Sequence, residues 1–341
     1  MSLPAITVVL VNWNGEEFLT PCLRSVVAQG YPGLRVTVVD NGSTDGSLAL
    51  LARDFAEVEV IRNPVNNYAG ANNLAVARAS TPFVCLLNTD TVLEAGCLTT
   101  LSTRLASDDA VAGVAPKIVY LDGGRLYTTG VLQRDDLYWV DRDQGEPDRG
   151  QRDRVEDVFG LSGCCALYRR SVWQQVGGLD EDFHMYYEDV DFSLRLRAAG
   201  NRLVFEPAAR VRHVGGGSIR KTPDGKDPIG ERNRLMVLAR HYPADAPREA
   251  ARSRWLQAAS RQELAAFLPI LARHAAAGET SFLADLLLHW RDEAAYPQLV
   301  RERDAWIVKL LREVRRLRVY RWPWKRLKPI EADFLRRHAT E

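Results

Sequence analysis

The sequence lacks any apolar run of about 18 residues, the length that a membrane-spanning helix requires. Its five cysteines are an odd number at irregular spacings, which argues against a disulfide framework and against a zinc-ligand pattern. Neither sign of charge is in excess, because 45 lysines and arginines stand against 44 aspartates and glutamates, for a net charge of +1. These absences predict reduced cysteines in a cytoplasmic protein, and they give no global positive field that would attract nucleic acid.

The start of the chain also lacks features of a secretory signal. Residues 1–11 have no basic segment, and their apolar run is too short. The 341 residues, 46% of them hydrophobic, are enough for one large domain with an appendage or for two domains.

Apolar runs alternate with helical patterns over the first 90 residues. Strands are predicted over 5–11, 34–40, 58–61 and 83–88, and helices over 16–29, 47–55 and 72–79. This alternation is typical of an α/β doubly wound sheet, in which ligands bind beyond the carboxyl ends of the strands.

The rest of the chain is mixed at first and then helical. Residues 122–157 are polar and rich in glycine, aspartate and arginine, and we interpret them as a hairpin-containing excursion or a mobile loop. A helix is predicted over 188–199, followed by extended segments over 202–205 and 210–214. Beyond about residue 230 only helices are predicted, over 231–240, 247–271, 281–290 and 297–318.

Polar clusters stand at three of the predicted strand ends, at residues 12–14, 40–43 and 88–90. Asp40 can accept a hydrogen bond from an imide N–H or a ribose hydroxyl, or it can be a turn residue that caps the next helix. Asp90 suits a hard cation such as Mg²⁺ or Mn²⁺ shared with a diphosphate, or it can terminate its strand in a turn.

Three acids, Glu188, Asp189 and Asp191, stand at the start of a predicted helix. Acids in the first turn stabilise a helix by interacting with its dipole, and this alone would explain their presence structurally. Crowded carboxylates beside apolar residues also raise a pKa and create a general base. His213, after an extended segment, is either a metal ligand or a structural histidine.

Six motifs stand in the order typical of one enzyme family. They are VNWN at 11–14, VVDNGSTD at 38–45, NYAGANN at 67–73, LLNTD at 86–90, EDVDFSLR at 188–195 and HVGGGS at 213–218. Over residues 4–220 the sequence resembles the family 2 glycosyltransferases, in particular the rhamnosyltransferase-like enzymes of bacterial surface-polysaccharide synthesis.

The resemblance implies a GT-A fold, which is an α/β Rossmann-like, mostly parallel sheet with flanking helices, followed here by an α-helical C-terminal region. It implies a catalytic domain over 1–230, with a nucleotide-sugar half over 1–115 and an acceptor half over 116–230. Residues 231–341 are then a helical C-terminal extension.

The resemblance also implies roles for single residues. The expected nucleotide-binding residues are Asn12, Trp13, Asn14, Asp40, Asn72, Asn73 and Asn88. Asp40 would accept the N3–H of a uracil or thymine ring. The donor implied is a nucleotide diphosphate sugar, with dTDP-rhamnose first and UDP-sugars next.

Asp189 matches the general base of an inverting transfer, in which an acceptor hydroxyl attacks the anomeric carbon, and Glu188 is the alternative base. Gly163 would lie under the acceptor, and Asp191 on the acceptor side would orient Arg195 at i+4. The cysteines beside Gly163 are expected to be packing residues.

The metal expected from the resemblance is Mg²⁺ or Mn²⁺. Asp90 matches the last acid of the family's D-x-D motif, and His213 matches a position that completes the metal shell. Asn88 stands where the first acid of the motif would be, so the sequence departs from the pattern at that position.

The C-terminal stretch 309–328 carries nine basic residues and one acid, Glu313, and an apolar stripe runs through the helix near 305–328. Such a helix suits the inner face of a membrane, or it packs on the catalytic domain or on a partner chain. The predicted partners are the nucleotide-sugar donor, a saccharide or lipid-linked acceptor, an anionic membrane surface and a second copy of the chain. Nucleic acid is not among them.

Two other functions compete with the transferase. A nucleotidyltransferase on a related fold usually has a glycine-rich, arginine-containing loop after its first strand, and Asn12-Trp13-Asn14-Gly15 stands there instead. A non-catalytic nucleotide-sugar-binding protein would have a degenerate site, whereas Asp40, Asp90 and Asp189 are all present.

Overall fold

A computed structural model describes residues 3–215 and 228–246, together with residues 249, 253, 263, 266, 267, 270, 271, 273 and 274. The chain divides into two compact units, Met1–Lys221 and Thr222–Glu341. The predicted helices over 281–290 and 297–318, and the basic segment near 305–328, lie outside the described residues. The predicted boundary at residue 230 and the predicted halves of the catalytic domain stay predictions.

The first part of the chain forms a parallel sheet with connecting helices, as the alternation predicts. Its elements are β1 (Ile6–Asn12), α1 (Glu16–Val27), β2 (Leu34–Asp40), α2 (Ser47–Asp54), β3 (Glu59–Arg62), α3 (Tyr68–Arg78) and β4 (Phe83–Asn88). β1 pairs in parallel with β2 and β4, and β2 pairs in parallel with β3. These strands and helices confirm the prediction, apart from the start of α3.

Helix α3 begins at Tyr68, four residues before the predicted start at residue 72. Asn67 caps it, because its side-chain oxygen accepts a hydrogen bond from the backbone N–H of Gly70 at 2.9 Å. Satisfying one of the free N–H groups in this way extends the helix over a turn whose glycine and alanines give no apolar periodicity.

The second part of the chain adds strands of both directions. Its elements are β5 (Thr91–Leu93), α4 (Cys97–Ala106), β6 (Val111–Tyr120), β7 (Leu126–Thr128), β8 (Val131–Gln133), β9 (Trp139–Asp141), β10 (Glu156–Asp157), β11 (Cys165–Arg169), α5 (Arg170–Val176), α6 (Glu188–Ala198), β12 (Arg202–His213) and α7 (Pro228–His241). The sheet order is β10-β12-β6-β11-β4-β1-β2-β3, with β5 on β12 and β7 on β6. Strand β11 is antiparallel to both β4 and β6, so the sheet is mixed.

The structure gives detail to two predictions about this part of the chain, one about extended segments and one about a hairpin. The extended segments predicted over 202–205 and 210–214 are one strand, β12, whose register against β6 shifts between Glu206 and Arg210. A bulge of this kind interrupts the alternation of side chains and hides the continuity of the strand. The hairpin predicted within 122–157 is confirmed, because β8 and β9 pair antiparallel.

The sheet of the first unit is packed on both faces. Along β1, Val8 and Leu10 contribute to one apolar cluster and Val9 to the other, because side chains alternate along a strand. The first cluster takes residues from α1 and α4, and the second from α3, α5 and α6. Helices on both faces leave the strand ends as the part of the sheet that polar side chains can occupy.

The cysteines fit this packing, since all five are buried and free. Among the residues described, no helix has the length and apolar character needed to cross a bilayer.

Candidate active site

The ends of β1 and β2 hold Asn12 and Asp40 side by side, in register with each other. The Asn12 amide is fully buried and donates to Asp40 Oδ2 at 3.2 Å and to Ser43 Oγ at 3.0 Å. The backbone N–H of Ser43 donates to Asp40 Oδ1 at 3.0 Å. Among the described residues the Asn12 Oδ1 atom has no hydrogen-bond partner. The two strand ends thus fix one carboxylate and leave one buried acceptor for a further donor.

Trp13 and Asn14 follow β1 in a tight turn. Asn14 has a left-handed backbone with φ 50°, and its side-chain oxygen accepts from the Thr44 N–H at 2.8 Å. The Asn14 N–H donates to Ser43 Oγ at 2.9 Å. Trp13 is half exposed beside them. Asn14 therefore joins the loops after β1 and β2, and Trp13 presents an aromatic ring at their surface.

Asn72 and Asn73 in α3 both bond to the protein itself. The buried Asn72 amide donates to the Tyr68 carbonyl at 2.9 Å. The Asn73 amide donates to the Leu179 carbonyl at 2.7 Å and accepts from the Leu179 N–H at 2.9 Å. The Asn72 bond lies within α3, and the Asn73 bonds join α3 to Leu179 in the segment between α5 and α6. The predicted contact of both amides with the nucleotide-sugar donor stays a prediction.

Asp90 and His213 meet at the junction of β5 and β12, where Thr91 and His213 are paired. The His213 Nε2 atom lies 3.1 Å from Asp90 Oδ2, and both side chains are more than nine-tenths buried. The His213 Nδ1 atom has no hydrogen-bond partner within the described part of the chain. The imidazole edge packs on Tyr127, with ring centroids 4.3 Å apart.

This pair fits two neighbouring positions of a metal shell. Ligand atoms at about 2.1 Å from an octahedral ion and at right angles to each other are about 3 Å apart. Asn88 bonds elsewhere, because its Oδ1 atom accepts from the Tyr68 hydroxyl at 3.1 Å. The candidate metal ligands at this position are therefore one carboxylate, from Asp90, and one imidazole, from His213.

Glu188 and Asp189 open helix α6 in two different environments. Asp189 Oδ2 accepts from the Gly163 N–H, and Asp189 Oδ1 accepts from the Val190 N–H, each at 2.8 Å. Burial raises the pKa of Asp189 despite these bonds. Glu188 is 5% exposed, and its Oε2 atom has no hydrogen-bond partner among the described residues. Burial, and then the charge of Asp189, raise the pKa of Glu188 well above its ordinary 4.5. Of the two adjacent acids, one is thus held as a carboxylate and the other favours its protonated form.

The backbone before α6 is strained. His184, Tyr186 and Tyr187 all have positive φ, of 60°, 66° and 66°. Side chains other than glycine occupy this region at a cost of about 1 kcal/mol or more each, and such residues cluster at functional sites. The strain turns the chain sharply just before the two acids.

Asp191 lies on the inner side of α6 and is fully buried. It accepts from Arg195 Nε at 2.8 Å, and the other guanidinium nitrogens donate to the Val176 and Gly178 carbonyls. The predicted pairing of Asp191 with Arg195 is confirmed. Through it Asp191 fixes the packing of α5 and α6, and its expected placement on the acceptor side stays a prediction.

Residues 163 and 164 connect the Asp90 end of the site with the Asp189 end. The Asn88 N–H donates to the Cys164 carbonyl at 2.9 Å, and the Tyr68 hydroxyl donates to the Gly163 carbonyl at 3.0 Å. A Cβ atom on Gly163 would lie 3.4 Å from Glu188 Oε1 and 3.6 Å from Asp189 Oδ2. The absence of a side chain at Gly163 leaves the two acids open on that side.

Asp141 is the residue of this site that the sequence did not identify. It stands at the end of β9, where its carboxyl lies beside the Thr128 and Ser162 side chains and within electrostatic reach of Asp189 and His213. Burial is the main cause that raises its pKa to about 6. The available signal is the alternation Trp139-Val140-Asp141 inside a polar segment, which marks a strand with two residues on one face.

The chain is similar in sequence to known glycosyltransferases. Residues 7–177, about half of the chain, match the sequence profile described as "Glycosyl transferase family 2". The chain is 35% identical over 217 residues to a pre-mycofactocin glycosyltransferase of Mycobacterium tuberculosis, in a match that covers 61% of this chain and 42% of that protein. The N-acetylglucosaminyl-diphospho-decaprenol L-rhamnosyltransferase of the same organism is 28% identical over 260 residues, covering 70% of this chain and 81% of that protein. The chain thus spans about two fifths of the length of the first relative.

Among solved structures, the crystal structure of GalNAc-T7 with UDP, GalNAc and Mn²⁺ has a similar fold. Its TM-score is 0.59 at 17% sequence identity, and the match covers 79% of this chain and 55% of that one. This likeness concerns the fold, and it confirms the predicted GT-A arrangement of a mostly parallel sheet with flanking helices.

Proposed function

Given that the chain belongs to glycosyl transferase family 2, we propose that it is an inverting glycosyltransferase that uses a nucleotide diphosphate sugar. The sugar goes to a hydroxyl of a saccharide or a lipid-linked saccharide in the synthesis of a bacterial surface polysaccharide. One observation carries the proposal: the Asp189 carboxylate accepts a hydrogen bond from the Gly163 N–H at 2.8 Å. Gly163 is next to Cys164, whose carbonyl is bonded by the Asn88 N–H, so this bond joins Asp189 to the part of the site that contains Asp90.

Asp189 is the general base of the proposed reaction. Two backbone N–H groups stabilise its carboxylate form, while Glu188 next to it is buried without a partner for Oε2 among the described residues. Two neighbouring buried acids do not both ionise easily, so Glu188 keeps its proton and Asp189 is free to accept one. The acceptor hydroxyl gives its proton to Asp189 as its oxygen bonds to the anomeric carbon. The bond to the diphosphate breaks on the opposite face, which inverts the configuration.

Asp40 and Asn12 form the proposed nucleotide end of the site. Asp40 is 2% exposed and is oriented by the Asn12 amide and the Ser43 N–H. A fixed carboxylate accepts the N3–H of uracil or thymine, and the Asn12 Oδ1 atom, which has no partner among the described residues, accepts a hydrogen bond from a second N–H or O–H group. Both features favour a uridine or thymidine diphosphate sugar, with dTDP-rhamnose first because of the rhamnosyltransferase relative.

Asp90 and His213 are the residues that would hold a divalent cation. The mixed carboxylate and imidazole pair favours Mn²⁺ over Mg²⁺, because Mg²⁺ prefers oxygen ligands throughout. Mn²⁺ is also the ion in the structure of similar fold. When bound, the cation would neutralise charge on the leaving diphosphate.

Product analysis of a donor screen tests the proposal. The chain is incubated with dTDP-rhamnose, UDP-glucose, UDP-N-acetylglucosamine and GDP-mannose, with and without Mn²⁺, and the nucleotide products are separated. We expect release of a nucleoside diphosphate from a dTDP- or UDP-sugar, at least tenfold faster with Mn²⁺. The Asp90→Asn variant should lose the increment due to Mn²⁺, because half of the ligand pair is removed.

Three other outcomes of this screen would contradict the proposal. Pyrophosphate among the products would identify a nucleotidyltransferase, and tight donor binding without any turnover would identify a binding protein. Retention of the anomeric configuration in the transfer product would exclude Asp189 as the base of an inverting transfer.

A further inference from the structure

The polar excursion over 122–157 contains many acids, and most of them are held by cations. Among the described residues, seven of its acids form ion pairs with arginine or lysine; they are Asp122, Asp136, Asp143, Asp148, Asp153, Glu156 and Asp157. Pairs of this kind fasten the excursion to itself, to β6 and to β12. They are a sufficient structural explanation for these seven acids.

Asp141 differs from them. Within the described residues it forms no ion pair with lysine or arginine, and its neighbours include a second acid, Asp189. Two neutral hydroxyl residues, Thr128 and Ser162, lie beside its carboxyl. Asp141 is partly buried. A carboxylate that is partly withdrawn from water and has no lysine or arginine partner is costly to the fold, and such groups are found preferentially at functional sites.

The hairpin brings Asp141 within electrostatic reach of Asp189. Trp139 and Asp141 lie on the same face of β9, because side chains two apart on a strand share a face. The Trp139 ring contacts Tyr187, the residue before Glu188, with ring centroids 6.0 Å apart. On the other side of the hairpin, Val131 pairs with Asp141 and its N–H donates to the Gly160 carbonyl at 2.8 Å. The hairpin therefore contacts the chain three residues before Gly163 and two residues before Asp189.

Two polar atoms of the candidate active site also lack a hydrogen-bond partner among the described residues. Glu188 is 5% exposed and has no partner for Oε2, and His213 is 3% exposed and has none for Nδ1, in the part of the chain that the structure describes. Buried polar atoms are nearly always hydrogen-bonded in a complete structure. A polar ligand with several hydroxyl groups would satisfy them.

From this arrangement we infer that Asp141 binds the acceptor: its carboxylate accepts a hydrogen bond from a second hydroxyl of the saccharide whose first hydroxyl gives its proton to Asp189. Sugars present several hydroxyls on one ring, and two neighbouring carboxylates, such as Asp141 and Asp189, can select a particular pair of them. The inference rests on the proposed transferase function and adds a specificity-determining residue to it.

The test compares acceptor kinetics of the wild type and Asp141→Asn. Acceptor probes are methyl glycosides of glucose, galactose, mannose and N-acetylglucosamine, and a short-chain prenyl-diphospho-N-acetylglucosamine. Asparagine keeps the shape and removes the charge, so we expect the acceptor KM to rise about 10- to 100-fold, the loss typical of one hydrogen bond to a charged group. The donor KM and the hydrolysis of donor without acceptor should change less than twofold. Asp135→Asn, on the exposed turn of the same hairpin, is the matched control and should behave as the wild type.

Deoxy analogues of the best acceptor provide a second measurement that does not depend on the folding of a variant. With the wild type, one monodeoxy analogue should lose efficiency by the same factor as the Asp141→Asn substitution. With Asp141→Asn, that analogue and its parent should be equally poor, because the hydrogen bond is already absent.

Three results would overturn the inference. One is an acceptor KM in Asp141→Asn within twofold of the wild type. Another is loss of donor hydrolysis in that variant, which would place Asp141 on the donor side. The third is release of sugar by the wild type without transfer to any probe, which would reject the acceptor class. If the wild type released no sugar at all, the proposed function itself would fail first.

Discussion

At the scale of single residues, the chemistry of the site depends on the hydrogen bonds and burial of two adjacent acids, Glu188 and Asp189. Asp189 receives two backbone N–H groups, and Glu188 is buried with Oε2 unbonded among the described residues. Both environments follow from backbone positions, at Gly163 and at the first turn of α6, and not from the type of side chain. This is why the pattern of acids alone did not distinguish them, and the choice of Asp189 over Glu188 came from the family resemblance. The structure adds a physical reason, because it favours Asp189 as the ionised acid.

The protonation of Glu188 has a consequence for stability. An acid whose pKa is higher in the folded than in the unfolded protein binds its proton more tightly when folded, so its contribution favours unfolding as the pH rises above 4.5. Glu188→Gln removes this contribution. We expect the Tm of Glu188→Gln to exceed that of the wild type by roughly 2–4 °C at about pH 8, and the difference to shrink towards about pH 5.

Thermal unfolding followed by circular dichroism at several pH values measures this difference. Glu57→Gln, at an exposed position, is the control and should follow the wild type at each pH. A Tm gain for Glu188→Gln that is the same at all pH values would mean that Glu188 does not bind its proton more tightly in the folded state.

At the scale of elements, the site is made by strand ends and by the turns that follow them. The sequence predicted the ends of β1, β2 and β4, because buried parallel strands are continuous apolar runs that stop at polar residues. The hairpin of β8 and β9 was predicted only as a possibility within 122–157. Its strands are three residues long and its charges pair locally, so hydrophobic periodicity does not show which face is buried.

The turn from β1 to α1 allows a direct test of the nucleotide end. A Cβ atom on Gly15 would lie 2.6 Å from Asn12 Oδ1, and Asn12 is fully buried and bonded to Asp40. Gly15→Ala must therefore displace the Asn12 amide and, with it, the Asp40 carboxylate. We expect the affinity for dTDP or UDP to fall about tenfold, which corresponds to one hydrogen bond to a charged group.

Isothermal titration calorimetry with these two nucleotides measures the affinity. Gly124→Ala is the control, since its Cβ atom would meet only Asp122 Oδ1 at 3.9 Å. Unchanged nucleotide affinity in a folded Gly15→Ala protein would separate Asn12 and Asp40 from nucleotide binding.

At the scale of the whole molecule, residues far apart in the sequence form one site in the first unit. Asp90 and His213 are brought together by the pairing of β5 with β12, and Asp189 reaches the same region through Gly163. The order of the motifs predicted this grouping by resemblance, since no local pattern relates residue 90 to residue 213. Contacts between distant parts of the chain could not be predicted from the sequence. Examples are the Tyr68 hydroxyl, which bonds to both Asn88 and Gly163, and Asp141, which lies within electrostatic reach of Asp189.

The central claim is that Asp189 accepts the proton of the acceptor and takes no part in binding the donor. It is tested most directly by measuring transfer and donor binding on the same preparation of Asp189→Asn. We predict that kcat falls about 10²- to 10⁴-fold, the usual contribution of a general base, while the Kd for the donor in the presence of Mn²⁺ stays within about twofold of the wild type. Turnover retained near the wild-type rate, or donor affinity lost together with turnover, would contradict the claim.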